Sequence, residues 1–336
     1  MIKKPPLVSI ILPTYNRAEW LPKSIGSVLS QTYLNWELII WDDGSNDNTE
    51  ETVLSFQDHR INYYFKENRG MSYALNQAIK VSQGDHIAFI DDDDQWLSEK
   101  LARQIQIMEG NPDIDILFGD FYNLNLSTKE EGRGFEQCKN ALRQLEVKEF
   151  QSGVFKIQQG ILKGILISNF IAFDTVVVRK DIFGIAGYFN ENLRNAQDLE
   201  FWWRMALAGL RFAYIDAVVM KRIKPPESLS SPSIASYQNR INCLDYCLLQ
   251  ALLNNREDLI PFLNSSYQKN WQGVIRQHAS LGNRQGAIDS FFKSIKYGIS
   301  LEACYELFRA FGGSKLANEI LKKIKFFYMI MLKNED

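Results

Sequence analysis

The chemistry in this chain is concentrated in aspartates. Asp42-Asp43-Gly44-Ser45 and Asp91-Asp92-Asp93-Asp94 each follow an apolar run, Leu38-Ile39-Ile40-Trp41 in the first case and Ile87-Ala88-Phe89-Ile90 in the second. Adjacent carboxylates repel one another unless a cation or hydrogen-bond donors offset their charge. Hard oxygen ligands suit Mg²⁺ or Mn²⁺, and Mg²⁺ is typically held by one or two carboxylates together with substrate phosphates and water. Each run also has a bland reading, the first as turn chemistry and the second as a solvated loop capping the next helix. Their joint occurrence favours one shared acidic site. Cys138, Cys243, Cys247 and Cys304 lack CxxC spacing and His59, His86 and His278 are scattered, so a thiolate or imidazole zinc site is not expected.

The elements that must position these groups follow from hydropathy patterning. Leu7–Leu12, Glu37–Trp41, Ile61–Phe65, His86–Ile90 and Ile114–Phe118 read as strands, with helices near Glu19–Ser30, Thr49–Phe56, Met71–Val81 and Leu97–Met108 between them. Alternating βα units imply an α/β fold around a mainly parallel sheet, and the acidic runs then project from the C-terminal edge of that sheet, where open α/β folds bind ligands. Asn48 or Thr49 is the expected cap of the second helix. From Asp120 to Lys163 periodicity weakens, and Lys129-Glu130-Glu131-Gly132-Arg133-Gly134 reads as a surface loop or lid. Order returns with a strand at Phe173–Arg179, a helix at Asp198–Ala208 and a strand at Arg211–Met220. A Pro/Ser-rich linker near Pro225 to Ser233 precedes an α-helical region in which Trp271–Tyr297 reads as a helix pair turning at Gly282. One such pair is not a repeat array. The expected organisation is an α/β domain over residues 1–224, a linker over 225–235 and a small helical domain over 236–336.

A dinucleotide-binding Rossmann domain would also place an acid after its second strand. The first βα turn excludes it, because Pro13-Thr14-Tyr15-Asn16-Arg17 carries no GxGxxG, and no GxxxxGK[ST] occurs elsewhere in the chain. Taken together, Val8-Ser9-Ile10-Ile11-Leu12-Pro13-Thr14-Tyr15-Asn16, Ser27-Val28-Leu29-Ser30-Gln31-Thr32, Asp42-Asp43-Gly44-Ser45, Asn68-Arg69-Gly70 and Asp91 to Asp94 with Trp96 resemble family 2 glycosyltransferases of the GT-A fold. The resemblance is dense over Leu7–Leu101 and resumes over Phe173–Gly209. It implies a Rossmann-like nucleotide-binding domain in which Pro13, Thr14, Tyr15, Asn16, Asp43 and Asn68 hold the nucleotide. It further implies a DxD-type motif at Asp91 and Asp93, with Asp93 as metal ligand, Asp92 placed to meet the ribose, and Asp198 as catalytic base. Relatives often have Arg-Asn where this chain has Leu75-Asn76, so no donor contact carries over to that position. The QxxRW element of processive synthases is missing, which favours transfer of a single sugar. Asp198 has its own structural alternative, as the third residue of a helix capped by Asn195.

The expected activity is therefore inverting, metal-dependent transfer from a nucleotide-diphosphate sugar, a UDP-sugar by preference, to a hydroxyl of a glycan or lipid-linked glycan in surface polysaccharide synthesis. A nucleotidyltransferase and a non-catalytic nucleotide-sugar-binding scaffold are the alternatives. With 38 basic and 40 acidic side chains the net charge is −2, which provides no global attraction to nucleic acid. The absence of a signal h-region and of any span of about 18 uninterrupted apolar residues favours a cytoplasmic location. Lys315, Lys322, Lys323 and Lys325 beside Phe326-Phe327-Tyr328-Met329-Ile330-Met331-Leu332 read either as a peripheral contact with the inner face of the membrane or as a terminal helix docked on its own domain.

Overall fold

The computed structural model describes residues 4–126, 129, 131–224, 232–298 and 301–310. Two compact units divide the chain, Met1–Ser228 and Leu229–Asp336. The first is built on a mixed sheet whose strands are β1 (Val8–Thr14), β2 (Trp36–Asp42), β3 (Ile61–Phe65), β4 (His86–Phe89), β5 (Gln95–Trp96), β6 (Ile116–Asn125), β7 (Glu131–Arg133), β8 (Glu146–Gln151), β9 (Val154–Gln159), β10 (Val177–Arg179) and β11 (Phe212–Lys224). Their order is β3-β2-β1-β4-β10-β6-β11-β9-β8, with β5 paired to β11 and β7 to β6. The β3-β2-β1-β4 half is parallel, as is the β6–β11 pair. β10 enters antiparallel between β4 and β6.

β1 is central because it can be buried on both faces. Val8, Ile10 and Leu12 pack with Leu21, Ile25 and Val28 of the helix Leu21–Leu29 and with Leu101, Ile105 and Met108 of the helix Lys100–Gly110. Ile11 faces the other way, into a cluster with Ala74, Leu75 and Ala78 of the helix Met71–Val81 and Phe201 and Trp202 of the helix Gln197–Leu207. Each such aliphatic side chain contributes about 1.5–3 kcal/mol of burial free energy. The polar member, Ser9, is fully buried and satisfied: its hydroxyl donates to Glu37 Oε1 at 2.6 Å and accepts from the Gly84 amide at 2.8 Å.

Several sequence expectations need correction. Of the segment expected as a surface loop or lid, Glu131–Arg133 form β7, and the weakly periodic stretch after it forms short helices at Gly134–Gln137 and Lys139–Leu142, the β8–β9 hairpin and a helix at Ile161–Ile167. Their weak periodicity has a physical origin: β8 is a sheet edge whose residues are almost all exposed, so it carries charge rather than alternating apolar residues. The fold of this segment depends on Asp120 of β6, whose side chain is fully buried. Its Oδ1 accepts from the Phe121 and Phe135 amides at 2.7 and 2.8 Å, and its Oδ2 accepts from Arg133 Nε at 2.7 Å. The strand expected over Phe173–Arg179 is confined to Val177–Arg179, preceded by a 3₁₀ turn at Phe173–Thr175. The second helix follows Asn48 without a side-chain bond from it; the amide and hydroxyl of Thr49 donate instead to Asp47 Oδ1, at 3.1 and 2.6 Å.

The second unit contains the helices Ile234–Leu253, Ile260–Ser280, Arg284–Ile295 and Leu301–Ala310. Ser233 and Ser236 form a reciprocal capping box on the first of them. The expected turn at Gly282 is present, with φ of 69°, and Asn283 caps the next helix through the Gly286 amide. Ala287 is fully buried, as close helix packing requires. Residues 225–231 of the linker and residues 311–336, including the basic tail, lie outside the described residues.

Replacing Asp120 with Ala should cost about 2–3 kcal/mol of unfolding free energy, because it strands the buried Phe121 and Phe135 amides. Denaturant titration measures it. An unchanged midpoint would show that other contacts hold residues 131–142.

Candidate active site

Three parallel strands deliver their loops to the same sheet edge. Pro13 and Thr14 end β1 in register with Trp41 and Asp42 at the end of β2, and β4 runs out beside β1 into the four aspartates. Asp42 is a turn residue: its Oδ1 accepts from the Ser45 amide at 2.7 Å and its Oδ2 from Tyr63 Oη at 2.7 Å. Asp43 is buried, and its carboxylate accepts from the Arg69 and Gly70 amides at 2.9 and 2.8 Å. Burial raises its pKa, and those two amides act against the rise. Asn68 lies beside this turn. Gly44 has φ of +90°, and a Cβ there would stand 2.8 Å from the Asn68 amide nitrogen, so the close approach of the two loops requires glycine.

Tyr15 is largely exposed, and Asn16 occupies the left-handed region at φ of 54°. The Asn16 amide donates to Ser45 Oγ at 2.8 Å, and its Oδ1 accepts from the Asn46 amide at 2.7 Å, which stitches the first loop to the second. Thr14 Oγ1 donates to Asp92 Oδ2 at 2.9 Å. Thus Thr14, Asn16, Asp43, Asn68 and Asp92, five of the residues expected around a nucleotide, come together on one edge.

The acidic run divides in two. Asp92 and Asp93 face Arg17, whose Nε lies 3.2 Å from Asp92 Oδ1 and whose Nη2 donates to Asp93. Asp91 and Asp94 turn inward and bring carboxylate oxygens within 4.8 Å of each other and of Asp174. Asp174 Oδ1 accepts from the Asp91 amide, and Asp94 Oδ1 accepts from the Ile223 amide at 2.8 Å. Burial, and then mutual repulsion, drives the pKa values of Asp91 and Asp94 well above the carboxylate range. Burial pushes Asp92 up to about 6 against the opposing pull of Arg17. The sequence paired Asp91 with Asp93; the clustered oxygens are those of Asp91, Asp94 and Asp174, while Asp93 sits on Arg17.

This donor set suits a hard divalent cation, because every ligand is a carboxylate oxygen and the local negative charge is under-compensated. Three cations partly compensate it. Arg17 is one. Lys100 is another: it is 2% exposed, its Nζ lies 4.0 Å from the centre of the Trp96 ring without a hydrogen-bond partner, and burial pulls its pKa down to about 7 while Asp174 opposes the fall. The third is Arg222 on β11. Burial works against its charge, and the field of Asp94, Asp174, Asp91 and Asp198 restores it.

Asp198 stands in the first turn of the helix Gln197–Leu207, where the helix dipole favours an anion. The N-cap position belongs to Ala196, at φ of 59°, and carries no side-chain cap. The expected Asn195 cap is therefore corrected: Asn195 Oδ1 accepts from the adjacent Ala196 amide, too early in the chain to serve the helix. Asp198 Oδ2 instead accepts from Asn169 Nδ2 at 2.8 Å. Sequence reasoning missed Arg17, Lys100, Asn169, Asp174 and Arg222. A signal existed for Asp174, a lone carboxylate directly after the apolar run Phe170-Ile171-Ala172-Phe173, but the expected strand over Phe173–Arg179 takes it in as a strand residue. Leu75, at the position where the resemblance places arginine, is fully buried in the core, while Asn76 next to it bonds the Phe189 backbone on both sides at 2.9 Å.

The mixed sheet with its mostly parallel core and flanking helices has the GT-A fold. Staphylococcus aureus TarS has this fold, with a TM-score of 0.60 at 16% identity over 90% of this chain and 51% of TarS. The family model described as glycosyl transferase family 2 matches residues 9–180, and the chain belongs to that family. An uncharacterized glycosyltransferase of Rickettsia conorii is 29% identical over 78% of this chain and 41% of its own length. The Escherichia coli UDP-Glc:alpha-D-GlcNAc-diphosphoundecaprenol beta-1,3-glucosyltransferase WfgD is 46% identical over 35% of this chain and 47% of its own. The chain thus spans less than half the length of these relatives.

Asp174 and Asp94 are buried carboxyls with oxygens within 4.8 Å of each other, and burial raises the pKa of each, which favours a proton held between them. Asp174→Asn supplies the donor permanently and should change unfolding free energy by less than about 1 kcal/mol, whereas Asp174→Leu strands the Asp91 amide and should cost about 2–3 kcal/mol. Equal losses in thermal or denaturant unfolding would contradict this pairing.

Proposed function

We propose that this chain is an inverting, divalent-metal-dependent glycosyltransferase that moves one sugar from a UDP-sugar to a hydroxyl of a glycan or lipid-linked glycan acceptor in surface polysaccharide synthesis. The observation that carries the reading is the acidic run at the end of β4, which Thr14 and Arg17 of the first loop meet at Asp92 and Asp93 and which Asp174 meets at Asp91 and Asp94. Family membership and the UDP-glucose donor named for the Escherichia coli relative support the choice of reaction and donor.

On this reading Thr14, Tyr15, Asn16, Asp43 and Asn68 hold the nucleoside, with Pro13 shaping the loop, and Asp92 meets the ribose. Asp91, which belongs both to the inward trio and to the DxD pair, would hold Mn²⁺ or Mg²⁺ together with Asp93 once Asp93 leaves Arg17, and the ion would offset charge on the departing diphosphate. Asp198 accepts the proton of the acceptor hydroxyl as its oxygen attacks from the face opposite the leaving group. Asn169 holds Asp198 in place for that transfer. The domain boundary near residues 225–235 and the peripheral membrane contact of the basic tail belong to the same proposal. Among the described residues no helix is long and apolar enough to cross a membrane.

The test pairs a panel of UDP-sugars with GlcNAc-diphosphate-lipid acceptors and follows UDP release. Asp198→Asn should leave folding and UDP binding nearly unchanged and lower transfer by about two or more orders of magnitude, the range for loss of a general base. Transfer near the parent rate would remove Asp198 from that role. Mn²⁺ with UDP should raise the melting temperature more than either alone, and Asp93→Ala should abolish the synergy. Pyrophosphate release from UTP and a sugar phosphate would instead identify a nucleotidyltransferase.

A further inference from the structure

Arg17 is the cation of the outward half of the acidic run, and its setting separates a fixed backbone from an exchangeable side chain. On one side the Asn16 amide is bonded to Ser45 Oγ at 2.8 Å, and on the other the Ala18 amide donates to Asp47 Oδ2 at 3.1 Å. The position of the Arg17 Cα is thus tied to the loop after β2. The side chain is 26% exposed, and its polar contacts are the ion pairs with Asp92 and Asp93. Its guanidinium carbon lies 5.4 Å from the centre of the Trp20 ring, an apolar surface along which it can turn. Asp92 and Asp93 are themselves only 12% and 16% exposed, so Arg17 can leave them only when another cation takes its place, and a dication at Asp93 supplies that charge. A diphosphate is a suitable replacement anion for Arg17, because the guanidinium fork matches phosphate oxygens as well as it matches carboxylates.

Asp93 is also the carboxylate assigned above to the divalent cation. A guanidinium and a dication on the same carboxylate repel each other and compete for its oxygens. We propose that Arg17 is a donor-binding residue that exchanges Asp93 and Asp92 for the diphosphate of the donor, so that nucleotide binding uncovers the metal-binding oxygens and metal and donor bind cooperatively. This rests on the metal and UDP reading of the site. It adds that the affinity of the protein for metal alone is held down by its own arginine. Coupling of this kind is reciprocal, so metal should tighten UDP by the same factor that UDP tightens metal.

The experiment titrates the full chain with Mn²⁺, following free Mn²⁺ by electron paramagnetic resonance, with and without UDP. Arg17→Gln should bind Mn²⁺ alone about fivefold or more tightly than the parent, within the usual range of coupling factors, and the factor by which UDP tightens Mn²⁺ should shrink correspondingly. Arg17→Lys, which keeps the charge but cannot bridge both carboxylates, should fall between the two. Lys23→Gln removes an exposed charge from the helix Leu21–Leu29 and should change neither quantity. If the parent binds Mn²⁺ cooperatively with UDP and Arg17→Gln gives the same affinity and the same factor, the Arg17 assignment is overturned and the metal reading stands. If the parent binds no Mn²⁺ even with UDP, the metal reading falls and the assignment with it.

Discussion

The structure around the site depends on how it carries a concentrated negative charge at the end of β4. Four consecutive aspartates, two of them, Asp91 and Asp94, set against Asp174 from the 3₁₀ turn, repel one another more strongly once burial removes water and so require compensation. The chain supplies that compensation from three elements distant in sequence: Arg17 after β1, Lys100 at the start of the helix Lys100–Gly110 and Arg222 on β11. Backbone amides add to it, since those of Asp91 and Ile223 donate to Asp174 and Asp94. The acidic run is therefore held from inside by the second half of the sheet and from outside by the first loop.

That dependence explains the mixed topology. β10 enters antiparallel between β4 and β6, and the turn before it carries Asp174 to the end of β4. β11 pairs parallel with β6 and also antiparallel with the short β5 after the acidic run, so Arg222 and Ile223 lie beside the aspartates. Trp96 on β5 joins these elements, because its indole N–H donates to the Asp174 carbonyl at 2.9 Å while its ring faces Lys100. A purely parallel sheet ending at β4 would present the same carboxylates without these inner partners.

The Asp198 side of the site is organised by a different kind of constraint. Asn76 clamps the Phe189 backbone, Arg204 donates to the carbonyls of Ala186 and Tyr188 while pairing with Glu200, and Phe189 stacks on Phe201 at 4.0 Å between ring centres. These contacts fix the segment before the helix Gln197–Leu207, so that Ala196 is held in the left-handed region despite its Cβ. The aromatic residues in that helix are core, and its first turn is what remains for chemistry.

Hydropathy periodicity and loop composition alone determined the α/β class, the strands β1 to β4 with the helices between them, the acidic runs at the sheet edge and the helical character of the C-terminal unit. Those features are local: a buried parallel strand reads as a continuous apolar run, and a carboxylate at its end is visible whatever packs against it. Only the tertiary structure decided that the β8–β9 segment is ordered, that the Phe173–Arg179 run is half turn, and that Asp91 pairs with Asp94 and Asp174 while Asp92 and Asp93 belong to Arg17. An edge strand carries no alternation to read, and a single buried aspartate or lysine shows in the sequence only as a polar residue. Its partner is set by packing between elements 70 or more residues apart, as the 75 positions separating Arg17 from Asp92 illustrate. Cation identity at an acidic site is a property of the folded surface, because electrostatic compensation depends on distance in space and leaves no period in the chain.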